Sequence, residues 1–159
     1  MKNLVIMIGI PGSGKSAFVN NFIKIKNIQV VCRDDIRIAL GHIYNKRVEP
    51  HVFAITETVI RSHMERGFDI LIDETNTNIN TISNWINLGE EYGYSIRCIV
   101  MKVDVEICKT RRGCETGAFP EEVIDRMQLQ LTSLLDEEMP FDKIENITYI
   151  NEKGEKCLS

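Results

Sequence analysis

Gly9-Ile10-Pro11-Gly12-Ser13-Gly14-Lys15-Ser16 follows the apolar run Leu4-Val5-Ile6-Met7-Ile8 and precedes Phe18, Val19, Phe22 and Ile23 at helical spacing. The octet fits G-x-x-x-x-G-K-S, the phosphate-binding P-loop, in the order that motif requires: strand, glycine turn, helix. Glycines let successive backbone N–H groups turn inward toward a phosphate chain. The helix that follows adds the positive end of its dipole. The lysine of such a loop reaches the β- and γ-phosphates, and its serine hydroxyl ligates Mg²⁺. ATP is therefore expected on Gly9, Pro11, Gly12, Ser13, Gly14, Lys15, Ser16 and Ala17, with Lys15 also catalytic and Ser16 a Mg²⁺ ligand.

Outward from the loop, strands and helices alternate. A helix is expected from about Lys15 to Lys26 and a second strand over Ile28–Cys32. A short helix over Asp34–Leu40 stops at Gly41, and His42–Glu49 reads as polar and irregular. Pro50 starts a longer helix with Val52, Ile55, Val59 and His63 as its inner face. Asp69–Asp73 is a third strand. A helix over Asn80–Tyr92 buries Ile82, Trp85, Ile86 and Leu88, with Gly93 as its stop. Ile96–Val103 is a fourth strand, and Asp104 opens a short helix. Thr110–Ala118 reads as a loop bounded by Gly113 and Gly117, carrying Arg111 and Arg112. Pro120 then starts a helix whose apolar face is Val123, Ile124, Met127, Leu131, Leu134 and Leu135. Thr148–Ile150 is expected as an edge strand, and residues 151–159 are weakly specified. The alternation predicts an α/β fold, a parallel sheet with helices on both faces.

The 159 residues suit a single domain, 1–159. At 43% hydrophobic and 26% charged, the composition is that of an ordinary soluble globular protein. The net charge of −4 supplies no global basic field, so any nucleic-acid contact has to be a local patch. The five cysteines form no C-x-x-C pair and no zinc spacing, which fits free thiols in a cytoplasmic protein. The apolar N-terminal run is too short to span a membrane.

Two groups of residues carry candidate chemistry beyond the loop. Ile70-Leu71-Ile72 ends in Asp73-Glu74, where a P-loop protein places the acid that positions Mg²⁺. Alternation along a strand points these two acids to opposite sides, and either can be the Mg²⁺ acid. Arg33-Asp34-Asp35-Ile36-Arg37 crowds charge at the carboxyl end of the second strand, where ligands bind in open α/β sheets. One of its acids can act as the base for an attacking hydroxyl and the other as a helix cap; both can equally be surface acids paired with arginines. Arg111 and Arg112 can close on transferring phosphates or sit in a solvated turn. His42, His51 and His63 have no ligand spacing, and Trp85 reads as a packing residue.

The P-loop octet, Arg33-Asp-Asp-Ile-Arg37, Asp73-Glu-Thr-Asn-Thr-Asn78, Glu91-Tyr-Gly-Tyr94 and Thr110-Arg-Arg-Gly113 with Ala118-Phe-Pro120, Val123-Ile124 and Met127 together resemble the kinase domain of bacteriophage-type polynucleotide 5′-hydroxyl kinase. The resemblance covers about residues 3 to 135 in order. It implies an adenylate-kinase-like P-loop fold with an arginine-bearing lid near residues 110–119. It implies ATP or another NTP as donor, Mg²⁺, and a nucleic-acid 5′-hydroxyl end as acceptor. It makes Asp34 the general base and Arg37 the holder of the acceptor phosphate. The lid arginines fall near Arg111 and Arg112, and the family acid falls on Glu74 or, in many relatives, on Asp73.

Two other readings share these residues. A kinase acting on a small hydroxyl-bearing molecule or on tRNA would use Lys15, Ser16 and Asp34 with a different acceptor. An ATP-hydrolysing switch would use the Asp73–Glu74 pair to activate water. No reading places the chain in a membrane, and none fixes its oligomeric state.

Overall fold

The structure, a computed structural model, describes residues 2–24, 27–41, 44–113 and 120–158. Strand β1 (Asn3–Ile8) is buried along nearly its whole length because both of its faces are covered, which is why its sequence is continuously apolar. Helix α1 (Lys15–Ile23) follows the glycine loop. Strand β2 (Gln29–Cys32) runs directly into helix α2 (Arg33–Ala39). Then come α3 (Glu49–Glu65), β3 (Ile70–Asp73), α4 (Ile79–Glu91), β4 (Ser95–Met101), α5 (Val105–Gly113) and α6 (Glu121–Ser133). Helix α6 continues into a wider turn over Leu134–Glu138, and β5 (Asn146–Ile150) and β6 (Lys156–Cys157) close the sheet.

The sheet order is β2-β3-β1-β4-β5-β6. All pairings through β5 are parallel, with Leu4 beside Ile70 and Ile96. The last pairing, β5 with β6, is antiparallel. One face packs Leu4, Ile6, Ile8, Ile70, Ile72 and Ile96 against α3, α4 and α6. The opposite face packs Val5, Met7, Leu71, Ile99 and Ile150 against Phe18, Val19 and Phe22 of α1. The α/β sheet with helices on both faces is as the sequence predicts.

Three expectations need correction. The inner face of α3 is Val52, Thr56, Ile60 and Met64, while Ile55 is exposed. Thr56 can be buried because its hydroxyl donates to the Val52 carbonyl at 2.7 Å, which satisfies it inside the helix. Strand β5 is internal, since the tail folds back as β6 around the Asn151–Gly154 turn, where Gly154 takes φ 81°. Arg111 and Arg112 stand in the last turn of α5 rather than in a loop. Asp104 starts that helix by accepting from the Glu106 N–H. Residues 114–119 of the expected lid, and His42, lie outside the described residues. Among the described residues no helix is long and apolar enough to cross a membrane.

Candidate functional site

The order β2-β3-β1 sets three carboxyl ends side by side. The loop after β1, helix α2 after β2 and the segment Asp73–Asn76 after β3 therefore converge. Two bonds tie β1 and its loop to the third. The Gly9 N–H donates to the Thr75 carbonyl at 2.9 Å, and Asn76 Nδ2 donates to the Met7 carbonyl at 2.8 Å. Asn76 is buried at φ 48°, in the left-handed region that asparagine tolerates better than most residues. Its Oδ1 and the Ser13 Oγ are both buried, with no hydrogen-bond partner among the described residues.

Lys15 folds back over the loop, its Nζ donating to the carbonyls of Gly9 and Ile10 at 2.8 and 3.0 Å. Burial lowers its pKa to about 8, with the Asp73 carboxylate acting in the opposite direction. Ser16 and Ala17 are exposed at the mouth of the loop, and Pro11 is buried beneath it. Gly12 sits at φ 83°, and a Cβ there would lie 2.3 Å from the Cys108 carbonyl oxygen of α5. That close approach brings the end of α5 onto the loop. Arg111 donates from Nη1 to the Gly12 carbonyl and from Nη2 to the Glu152 carbonyl, both at 3.3 Å. The Arg112 side chain lies against Gly12, and its charge adds to the lowering of the Lys15 pKa.

The acids divide sharply. Glu74 is bound on both oxygens by Arg33, Nε to Oε1 at 3.1 Å and Nη2 to Oε2 at 2.6 Å. Asp73, beside Cys32 in the sheet register, has no ion-pair partner among the described residues, and burial raises its pKa against the pull of Lys15. Asp34 is exposed and accepts from Arg37 Nη1. Glu49 fixes the other side of Arg37, accepting from Nε at 2.6 Å and Nη2 at 2.8 Å. Helix α2 has no side-chain cap, so Asp35 does not cap it as a base-and-cap division of the two acids would require.

Lys15, Ser16, Asp34, Arg37, Asp73, Glu74, Arg111 and Arg112 thus gather around one sheet end. Glu49 was missed, because it falls in a stretch that reads as irregular and meets Arg37 only through the fold. Arg33 was visible as a charge, but its partner was not. Trp85 is 1% exposed and stacks on Phe53 at 5.2 Å, a packing role. No cluster of metal-binding side chains occurs among the described residues. A separate cavity of about 500 Å³ lies at the amino-terminal ends of β1, β4 and β5, away from the loop, between Phe18, Phe22, Arg97 and Thr148.

The sheet order and the loop after β1 define a P-loop protein of the kinase-fold class. The chain belongs to the AAA domain family, whose model matches residues 4–134. It is 29% identical over 160 residues to a protein of Acanthamoeba polyphaga mimivirus named as a bifunctional polynucleotide phosphatase/kinase, over 96% of this chain and 35% of that one. It is 24% identical over 170 residues to a protein of Autographa californica nuclear polyhedrosis virus named as a bifunctional polynucleotide kinase/RNA ligase, over 98% of this chain and 23% of that one. Among solved structures it resembles a chain of the Pnkp1/Rnl/Hen1 RNA repair complex with a TM-score of 0.78 and 28% identity, over 85% of this chain and 45% of that one. The chain spans about a third or less of the length of the two curated relatives.

Proposed function

We propose that this chain is an ATP-dependent kinase that moves the γ-phosphate to the 5′-hydroxyl of a polynucleotide. The observation that carries this reading is the Glu49–Arg37–Asp34 chain. It holds an accessible carboxylate at the end of the strand two places from the P-loop strand. In the proposed step the acceptor hydroxyl oxygen bonds to the γ-phosphorus as its proton passes to Asp34. The bond from that phosphorus to the bridging oxygen breaks, and ADP leaves. Lys15, released from the Gly9 and Ile10 carbonyls, holds the phosphates, and Arg111 and Arg112 neutralise charge on the transferring group. Arg37 orients Asp34 and offers its remaining N–H groups to the acceptor phosphate.

The residues fit a magnesium ion. Such ions take one or two carboxylates plus water and phosphate oxygens, and Asp73 and the Ser16 hydroxyl supply what the protein must. Glu74 is committed to Arg33, which favours Asp73 for this role. Bound there, Mg²⁺ would neutralise phosphate charge. The same commitment of Glu74 weighs against the ATP-hydrolysing switch, which needs a free acid after the metal acid to activate water. The names of the viral relatives speak for a polynucleotide acceptor over a small molecule. The single-domain organisation over 1–159 is part of the same proposal.

The deciding experiment offers γ-labelled ATP with 5′-hydroxyl oligonucleotides, nucleosides, sugars and tRNA in parallel. The oligonucleotide is expected to take the label. Label on a sugar or nucleoside alone would replace the acceptor, and acceptor-independent phosphate release would replace the reaction.

A further inference from the structure

Helix α2 does not end in solvent-compatible residues. Ile38 is 70% exposed and Leu40 40% exposed at its end, and Tyr44 is 68% exposed in the connection to α3. The two residues after Asn45 are Lys46 and Arg47, both exposed and without an acidic partner among the described residues. In a chain of net charge −4, two consecutive exposed cations that follow an exposed tyrosine by two residues stand out locally. The turn that carries them is ordered. Asn45 Oδ1 accepts from the Arg47 N–H at 3.0 Å, and the Asn45 carbonyl accepts from the Val48 and Glu49 N–H groups. Arg47 stands two residues before Glu49, so its Cα lies within about 8 Å of the residue that clamps Arg37. The turn is thus anchored to the Asp34–Arg37 pair and faces solvent beside it.

We infer that Tyr44, Lys46 and Arg47 form a binding track for the second and later nucleotides of a single-stranded acceptor. The inference rests on the polynucleotide reading above. Exposed aromatic rings stack bases with little regard to sequence, and adjacent cations follow the backbone phosphates. Only an unpaired base offers its face to Tyr44, so the track selects single-stranded ends over ends buried in a duplex.

The test measures transfer to a 5′-hydroxyl ten-nucleotide single strand, to a nucleoside 3′-monophosphate, and to a recessed 5′-hydroxyl in a duplex. The unchanged protein should prefer the single strand. Tyr44→Ala should raise KM for the ten-mer about tenfold, the effect of losing one stacked base, with kcat and the KM for the mononucleotide unchanged. Tyr44→Phe should retain the ring and the affinity. Lys46→Ala/Arg47→Ala should flatten the fall of log kcat/KM with log salt by roughly 1.4 for the ten-mer, if each cation meets one phosphate of a single strand. An equal loss on the mononucleotide, or no loss on the ten-mer, overturns the track while leaving the kinase reading intact. Failure of the unchanged protein to label any oligonucleotide overturns the acceptor reading, and the track with it.

Discussion

The Arg33 guanidinium takes both carboxylate oxygens of Glu74 and lies 5.3 Å from the centroid of the Phe53 ring. It joins the start of α2, which carries Asp34 and Arg37, to the end of β3, which carries Asp73. The Glu74 side chain is only 6% exposed, so removal of Arg33 leaves a buried, unpaired carboxylate. Arg33→Ala should cost about 3 kcal/mol, the lower end for breaking a buried pair, because Arg33 itself keeps some solvent contact. For a domain of this size that lowers Tm by roughly 6–12 °C. Thermal unfolding of Arg33→Ala, Glu74→Ala and the double variant checks this. The double variant should lose less than the sum, and a loss below about 1 kcal/mol in Arg33→Ala would show that the pair does not hold the two elements together.

Lys15 gives a pH signature. Its folded pKa of about 8 lies below the ordinary lysine value of 10.5. Below pH 8 both folded and unfolded chains hold the proton. Between 8 and 10.5 the unfolded chain binds more protons, so the stability of the nucleotide-free protein rises with pH across that window. Nucleotide phosphates need the ammonium form, so ATP binding above pH 8 should take up a proton and weaken by up to tenfold per pH unit. Calorimetry in buffers of different ionisation enthalpy reads the uptake; binding without proton uptake at pH 9 would contradict it. Lys15→Ala should abolish transfer in a folded protein.

Asp34→Asn keeps shape but loses the basic lone pair. Transfer should slow by about a hundredfold to ten-thousandfold, with ATP binding intact. Asp35→Asn should leave both rate and stability nearly unchanged, because no side chain caps α2. Initial rates with a 5′-hydroxyl oligonucleotide compare the two, and an inactive Asp35→Asn would transfer the base role to the neighbour.

Glu49 touches Arg37 and not the reacting atoms, so it is a positioning residue. Arg37→Ala should raise the KM for the acceptor more than that for ATP. Glu49→Gln should do the same more weakly, since an amide can hold only part of the guanidinium fork. If Glu49→Gln changes only the KM for ATP, the clamp has been assigned to the wrong substrate.

Arg111→Ala/Arg112→Ala should lower kcat by roughly a hundredfold or more, if these groups stabilise charge on the transferring phosphoryl group. A change of a few fold, read by single-turnover transfer, would leave them as supports for the loop through the Gly12 and Glu152 carbonyls.

The P-loop, its strand and its helix were legible in the sequence because their instructions are local. Glycine spacing sets the turn, and one apolar run and one helical period set the flanks. The parallel order of elements followed for the same reason, since alternating short apolar runs and amphipathic segments leave few other arrangements. The face of α3 was misjudged by one residue, because a buried threonine that bonds its own helix looks polar in a linear pattern. The arginines placed in a loop proved helical, because Gly113 ends α5 after them and not before.

What the sequence alone determined is the chemistry available: a phosphate cradle, a basic residue within it, and acids and arginines at the ends of neighbouring strands. What only the tertiary structure decided is how those charges are paired. Asp73 and Glu74 are adjacent and alike in one dimension. The fold gives Glu74 an arginine from the next strand's end and leaves Asp73 near Lys15. Arg37 gains Glu49 from twelve residues away, and Arg111 reaches Gly12 across ninety-nine. Pairing of charges depends on distance through space, which falls off over a few ångströms, and chain order carries that information only for neighbours.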